Sequence, residues 1–517
     1  MNTFLNGLKE ETNFGYTENG AIKRNTTNSD LLDLFAMGAA MRNRSEEDCI
    51  LMFQKAYKEN PVYALKCLFY IRDVRGGQGE RRFFRTVVRY LAKTETEAVR
   101  RNMEYFAVYG RWDDLYCLVD TPLEAEMFTF LKRQLALDIQ SKTPSLLAKW
   151  LKSENTSSAD SRALATRTRK AFGMTSKQYR KTLSVLRTKI NIVEKLMSEN
   201  RWDEIEFDKI PSRAGLIYKN AFARHDIERL KANPEAQTYE AFIKDENTKV
   251  NAKVLYPYEC VSEAFKAMNG WWGRSYSVPL DDVNRLAVNK YWANLENYFN
   301  EATFNGMAIV DTSGSMYSDT ASAPINVAIS LGLYCAEKAH GPFANHFITF
   351  SSNPTFVEVQ GVDFCDKVVR MSLANWGGST NIEAAFDLML NTAIKNKCSQ
   401  EDIPQNLIII SDMEFNACAT MGETRSDDYW YRGNRIEDKK TLMETIEKRW
   451  NAAGYKMPNL VFWNVNARQN NIPMKVQDGI SFVSGMSPSI FQQIMSGKTA
   501  ADLMYEVLDS ERYAVIK

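Results

Sequence analysis

Histidine is scarce in this 517-residue chain: His225, His340 and His346 are the only three, too scattered for a zinc site or for a Ser-His-Asp arrangement. The eight cysteines form no Cys-x-x-Cys pair and several sit in apolar periodic segments. They read as reduced core residues of an intracellular, cytoplasmic protein rather than a disulfide framework. No run of about 18 apolar residues occurs, and polar Met1 to Asn28 has no apolar signal-peptide core, so neither a membrane span nor a secretion signal is expected. Net charge is nearly absent at +1, so affinity for a polyanion would have to come from local patches. Gly-x-Ser-x-Gly and His-Glu-x-x-His are both missing, and the chain reads as a binder rather than an enzyme.

What is present is an ordinary globular composition, 44% hydrophobic and 25% charged, long enough for two or more domains. Residues 1–28, rich in Asn, Thr and Gly and without periodicity, read as a flexible arm. From 29 to 265 the spacing is helical. Leu31, Leu34, Phe35, Gly38 and Met41 share one stripe, Ser45 precedes three acids as a helix start, and Asn60-Pro61 separates two helices. Arg111-Trp112-Asp113-Asp114-Leu115 is echoed by Arg201-Trp202-Asp203-Glu204-Ile205, as a stacked array of helix pairs would require, or as packing and capping at helix ends would produce. Residues 266–300 are dense in aromatics, among them Trp271, Trp272, Tyr276, Tyr291 and Trp292, and read as bridging helices with an aromatic interface core.

From 301 to 517 strands and helices alternate. Apolar runs at Met307–Val310, His346–Phe350, Phe356–Val359, Leu407–Ile410, Leu460–Val465 and Ile480–Val483 predict strands. Helical patterns lie at Ala323–Lys338, Ile382–Asn396, Arg435–Ala453 and Ser489–Met495. Alternation of this kind predicts a mainly parallel, Rossmann-like sheet covered on both faces, with one antiparallel edge strand from a hairpin at Ser351–Pro354.

Asp311, Ser313 and Ser315 follow the first of these strands, a set of oxygen donors suited to a hard divalent cation. The turn Gly377-Gly378-Ser379-Thr380-Asn381 precedes a helix, and Ser411-Asp412 follows the strand Leu407–Ile410. Three loops would therefore converge at one sheet end. This pattern resembles the von Willebrand factor A domain and its metal-ion-dependent adhesion site (MIDAS). The resemblance implies that Asp311, Ser313, Ser315, Thr380 and Asp412 hold Mg2+, or another divalent cation such as Mn2+, with a position left for a carboxylate from a protein or other ligand. Glu414 would serve as a base beside metal-bound water in a hydrolytic reading, which the adhesion-site pattern disfavours.

The helical half carries Ile71-Arg72-Asp73-Val74-Arg75-Gly76-Gly77-Gln78-Gly79-Glu80-Arg81-Arg82 and Tyr109-Gly110-Arg111-Trp112-Asp113-Asp114. With Ser411-Asp412-Met413-Glu414-Phe415, these segments resemble Ro autoantigen-like proteins, in which a HEAT-like helical-repeat TROVE module precedes a von Willebrand A domain. They are more similar still to an uncharacterised two-part family of the same layout. RNA binding in a ribonucleoprotein is what the resemblance implies. The glycine-rich loop Val74–Glu80 lacks the Lys-Ser/Thr ending of a P-loop and reads as a tight turn between helices. Between Ser161 and Ile190 there is no acid but nine bases, Arg162, Arg167, Arg169, Lys170, Lys177, Arg180, Lys181, Arg187 and Lys189, the footprint of a phosphate-binding face. The basic stretches Arg72–Arg89 and Lys209–Arg224 are less pure, and the second adds Tyr218 and Phe222 as stacking candidates. The competing reading is a protein-interaction or assembly module that uses the metal and binds no nucleic acid.

Overall fold

The computed structural model describes residues 3–268, 278–299, 304–317, 323–350, 353–373, 380–417, 440–494 and 499–517. Capping chemistry sets many of the helix starts. Ser45 accepts from the Asp48 N–H ahead of helix Glu46–Glu59, and Asn60 both ends that helix and caps Pro61–Arg72, whose proline sits where no backbone donor is needed. Thr175 with Gln178, and Thr441 with Glu444, close reciprocal capping boxes on helices Ser176–Lys189 and Leu442–Ala452. Among the described residues no helix is long and apolar enough to cross a membrane.

A two-stranded hairpin, β1 (Phe14–Tyr16) and β2 (Ile22–Arg24), precedes the helical half. The C-terminal half contains β3 (Gly306–Asp311), β4 (His346–Phe350), β5 (Thr355–Glu358), β6 (Asn406–Ser411), β7 (Asn459–Asn464) and β8 (Ile480–Ser484). They form one sheet in the order β5-β4-β3-β6-β7-β8, parallel except for the edge strand β5. β3 is buried on both faces, as a covered parallel strand must be. Helix Pro324–Lys338 lies so close to it that a Cβ on Gly332 would come within 2.5 Å of Val310 Cγ2. All six expected strands are present. Helices Phe364–Leu373 and Ala500–Leu508 were not expected, and residues 435–439 of one predicted helix lie outside the described residues.

The arm expected to be flexible is instead docked. The hairpin lies against the C-terminal half, where Arg24 bridges Ile472 and Gly20 bridges Asn416 as β-partners, and helix Thr3–Thr12 is tied to it by Glu10, which shares Arg24 with Glu444. Polar side chains do the holding: Thr17 Oγ1 donates to the Phe415 carbonyl at 2.6 Å, and Asn13 Nδ2 to that of Thr26 at 2.7 Å. Such a segment has no apolar period to read, because hydrogen bonds to backbone rather than an apolar stripe fix it.

The C-terminus crosses the other way. Arg512 forks onto Asp73, Tyr513 donates to the same carboxylate, and Lys517 N–H meets Asn102 Oδ1 at 3.0 Å. Helix Asp30–Met37 packs beside β8, where Ser484 Oγ donates to the Phe35 carbonyl at 3.1 Å. The glycine loop is the expected inter-helix turn and also a dock, since Gln78 Oε1 accepts from the Ser487 N–H. In the bridging segment Trp292 stacks on Phe364 at 4.1 Å and donates to Glu337, joining the halves. Trp271, Trp272 and Tyr276 lie outside the described residues, and helix Pro257–Ala267 runs across the expected boundary at 265. The Arg-Trp-Asp echo holds in backbone, as 3-10 turns at Trp112–Leu118 and Trp202–Glu204, but not in chemistry: Asp114 is a buried ion-pair partner, whereas Glu204 is exposed. The seven described cysteines are free, all but Cys398 fully buried, and Cys418 lies outside the described residues.

Candidate metal centre and basic surfaces

Strand β3 pairs with β4 on one side and β6 on the other, so the chain changes direction across the sheet between β3 and β6. Open parallel sheets leave a crevice beyond the strand ends at such a point. Asp311 ends β3, Asp412 follows β6, and the two strands are in register at Val310 and Ile410. Both carboxylates are fully buried.

Hydrogen bonds gather the rest. Asp311 Oδ1 accepts from the Ser313 N–H at 2.9 Å and Oδ2 from Ser411 Oγ at 2.5 Å. The Ser313 and Ser315 hydroxyls stand 3.1 Å apart, and Ser315 lies near enough to Asp412 to favour its charged form. Asp412 Oδ1 accepts from the Glu414 N–H at 3.2 Å, while its Oδ2 is buried without a partner among the described residues. Between these acids Met413 takes φ 64°, a left-handed turn that costs a non-glycine residue about 1–2 kcal/mol. Thr380 is buried and held where its carbonyl accepts from the Asn416 N–H at 3.0 Å; Gly377, Gly378 and Ser379 of its turn lie outside the described residues.

Burial raises the pKa of Asp311, offset in part by its bonds from Ser411 and Ser313. Burial raises that of Asp412 as well, and the neighbouring Asp311 charge adds to it. Burial likewise lifts Glu414, whose Oε1 is a second buried oxygen without a partner among the described residues. Two neighbouring carboxylates with the Ser313 and Ser315 hydroxyls form an oxygen set that suits a hard cation such as Mg2+ or Mn2+, and the orphaned Asp412 oxygen fits a cation's place; among the described residues the Thr380 hydroxyl is tied to this end of the sheet only through Asn19. Among the described residues no three His, Cys, Asp or Glu side chains cluster as metal ligands, so hydroxyls would have to complete the coordination.

Sequence reading missed the arm's part in this site. Asn19 Nδ2 donates to the Glu414 carbonyl at 2.5 Å and lies 3.4 Å from Thr380 Oγ1, while the Glu18 N–H donates to Glu414 Oε2 at 2.8 Å. The Glu18 carboxylate pairs with Arg468 at 2.9 Å. The one available signal was the turn composition of Thr17-Glu18-Asn19-Gly20, which names no partner.

The acid-free stretch folds as helices Ala159–Phe172 and Ser176–Lys189, and several of its cations find acids or carbonyls from elsewhere. Arg167 pairs with Asp120 and Glu124, each at 2.7 Å, and Arg169 with Glu154 at 2.8 Å. Arg187 donates to the Ala148 and Leu151 carbonyls, Lys189 to that of Ile139, and Arg162 to those of Thr156 and Ser157. Lys170, Lys177, Arg180 and Lys181 are exposed, with no carboxylate partner among the described residues. Phe222 is buried against Phe207 and Tyr239 and so offers no face to a base, whereas Tyr218 is half-buried.

Fold and site together define a two-part protein, a helical half interlocked with an α/β half that gathers carboxylates and hydroxyls at the sheet end. The chain belongs to the family described as Domain of unknown function (DUF2828), matched over residues 17–145 and 134–301. The remainder matches Domain of unknown function (DUF7788) over residues 305–514. The chain is 30% identical over 522 residues to "Uncharacterized protein L728" of Acanthamoeba polyphaga mimivirus, covering 94% of this chain and 85% of that protein. Among solved structures it matches the crystal structure of the Deinococcus radiodurans RO (RSR) protein at 14% identity over 93% of each chain, with a TM-score of 0.35, a likeness too slight to define a shape.

Proposed function

We propose that this protein is a binding scaffold rather than a catalyst, with a divalent cation at the sheet end and RNA on the helical half. In this reading the helical half is a HEAT-like, TROVE-type array in a ribonucleoprotein, and the C-terminal half is a von Willebrand A-type domain. Asp311, Ser313, Ser315, Thr380 and Asp412 would hold Mg2+ or Mn2+. The bound ion would supply positive charge that offsets the two carboxylates and attracts an acidic group of a protein or other ligand. The observation that carries the proposal is the buried, partnerless Oδ2 of Asp412 beside a second buried carboxylate. The RNA half is supported more lightly, by the four exposed cations of the paired helices Ala159–Phe172 and Ser176–Lys189.

Adding Mg2+ or Mn2+ to EDTA-treated protein is expected to raise its melting temperature, and Asp412→Asn to abolish the rise; no response to any divalent cation sinks the metal reading. RNA is expected to be retained in a salt-sensitive way and weakened by joint replacement of Lys177, Arg180 and Lys181 with Ala. The second reading, an assembly module without nucleic acid, is favoured by the self-paired Arg167 and Arg169. It prevails if the purified protein binds no RNA at low salt.

A further inference from the structure

The segments Ile71–Arg82 and Tyr109–Asp114, which the sheet-end site does not use, both contribute to one cleft. Its volume is about 700 Å3, and Met486, in the loop after β8, contributes to its lining from the C-terminal half. Arg42, Arg75, Arg81, Arg82 and Arg111 line it, and none of the five has a carboxylate partner among the described residues. The other two arginines of the lining are neutralised, Arg72 by Asp114 at 2.7 Å and Arg213 by Glu259 at 3.0 Å. Glu80 caps helix Arg81–Thr94, accepting from the Arg82 and Phe83 N–H groups. Positive charge therefore remains in excess inside a concave site.

Two observations separate this cleft from an ordinary basic surface. Arg42 Nε and Nη2 are buried and lack hydrogen-bond partners among the described residues, and so does the Tyr256 hydroxyl. Buried donors of this kind, above all charged ones, are rarely left unmet. Burial, and then the charges of Arg72, Arg81 and Arg213, also push Arg111 below its ordinary pKa, as crowding by like charges must.

Apart from Asn43, Glu80 and Glu259, the rest of the lining is aromatic, aliphatic or glycine. The Arg111 guanidinium lies over the Trp150 ring at 4.7 Å, and Tyr256 stacks on Tyr258 with their rings 9° from parallel. Glycine brings the walls together: Gly79 has φ +67°, and a Cβ there would fall 1.7 Å from the Tyr256 hydroxyl. Guanidinium forks match the oxygens of phosphate and aromatic faces match a base. The volume suits a small ligand rather than a duplex. A lone carboxylate would leave most of the charge unmet, whereas a phosphate monoester carries up to two negative charges.

We propose that this cleft binds a nucleotide through its phosphate, with Arg42, Arg81 and Arg111 on the oxygens and the aromatic wall against the base. The nucleotide is either free or the 5′-phosphorylated end of an RNA strand. The inference stands on the cleft alone and not on the RNA face of helices Ala159–Phe172 and Ser176–Lys189.

The test is calorimetry and tryptophan fluorescence on the intact protein, with AMP, a 5′-phosphorylated RNA hexamer and its 5′-hydroxyl counterpart as probes. Binding of AMP, or tighter binding of the hexamer when 5′-phosphorylated than when 5′-hydroxylated, is expected; AMP binding and the difference between the two hexamers are weakened at least about tenfold by Arg81→Gln with Arg111→Gln and untouched by Lys177→Ala with Lys181→Ala. AMP binding identifies a free nucleotide, and selective binding of the phosphorylated hexamer identifies a strand end. Should Arg111→Gln fail to fold, the exposed pair Arg75→Gln and Arg81→Gln carries the same test. The proposal is overturned if neither AMP nor the phosphorylated hexamer binds with a Kd below about 1 mM, or if the arginine variants bind as the unaltered protein does. Hexamer binding lost only in the lysine variant also overturns it and leaves the scaffold reading standing; AMP binding without any RNA binding does the opposite.

Discussion

At the end of the sheet Asp311 and Asp412 are buried side by side with a carboxylate oxygen that no donor meets, whereas in the cleft of the helical half Arg42 buries guanidinium nitrogens that no acceptor meets. The same chain shows what it does with a buried charge needed only for structure. Arg72 is closed by Asp114, Asp73 by Arg512, and Arg285 by Asp363 at 2.7 Å. Partners are within the chain's means, so unmatched polar atoms of one sign at each of two places point to ligands of the opposite sign. The comparison separates charges that hold the fold from charges that await a partner, and mutation can break it.

The largest effect is expected inside the cleft's own neutralised pair. Asp114→Ala would strand Arg72, and it would remove the 2.7 Å partner of Arg85 as well. Breaking a buried pair on one side typically costs about 3–5 kcal/mol, to be read by urea denaturation. Arg81→Gln, which breaks no pair, should stay within about 0.5 kcal/mol, as surface substitutions do. Equal losses would erase the distinction.

Next in size is the effect of a cation on the acidic site. With ligand at about 100 times its Kd, linkage gives roughly 2.7 kcal/mol of stabilisation. Asp412→Asn should remove that gain while making the metal-free protein more stable, because one of two facing buried charges has gone. A metal-free Asp412→Asn protein less stable than the unaltered one would show that the carboxylate serves the fold instead.

Asp33 offers a control, a carboxylate also buried, though less completely than those at the sheet end, and bonded at both oxygens, by Thr26 Oγ1 and by the Thr27 N–H at 2.8 Å. Burial raises its pKa from the usual 3.8 to about 6. Between those values the folded state binds more protons than the unfolded state, so stability falls as pH climbs from about 4 to about 6 and is level above. The swing is on the order of 3 kcal/mol. Asp33→Asn should remove this contribution by the same amount with and without Mg2+; a difference between the unaltered and Asp33→Asn pH curves that itself changes with Mg2+ would contradict the separation of the two kinds of acid.

The strands were legible because β-branched runs stand between turn residues, and the site's acids were legible because each directly follows such a run. Charge along the chain misled. The stretch from Ser161 to Ile190 lacks acids in sequence, yet Asp120, Glu124 and Glu154 reach it in space. The stretch from Arg72 to Arg89 looked less pure because of Asp73 and Glu80, yet Asp73 is engaged by Arg512 and Glu80 accepts from backbone amides, which leaves Arg75, Arg81 and Arg82 without a carboxylate partner among the described residues. Sign counted along a sequence does not tell which acids are already engaged. The arm escaped for a related reason: its partners at Phe415 and Glu414 lie almost 400 positions away, and polar side chains bonding distant backbone have no period.

That arm carries the smallest predicted effect and the sharpest use of the comparison. Asn19→Ala removes the bond to the Glu414 carbonyl and the approach to Thr380. Loss of such a hydrogen bond costs about 0.5–1.5 kcal/mol. The consequence should be local: faster amide exchange across the β1–β2 hairpin, with the cleft unaltered. Because Asn19 touches Thr380 and the chain beside Asp412, the variant should also change how strongly Mg2+ protects the hairpin from exchange. A hairpin that loosens identically with and without Mg2+ would mean that the arm merely covers the sheet end and has no part in the cation's site.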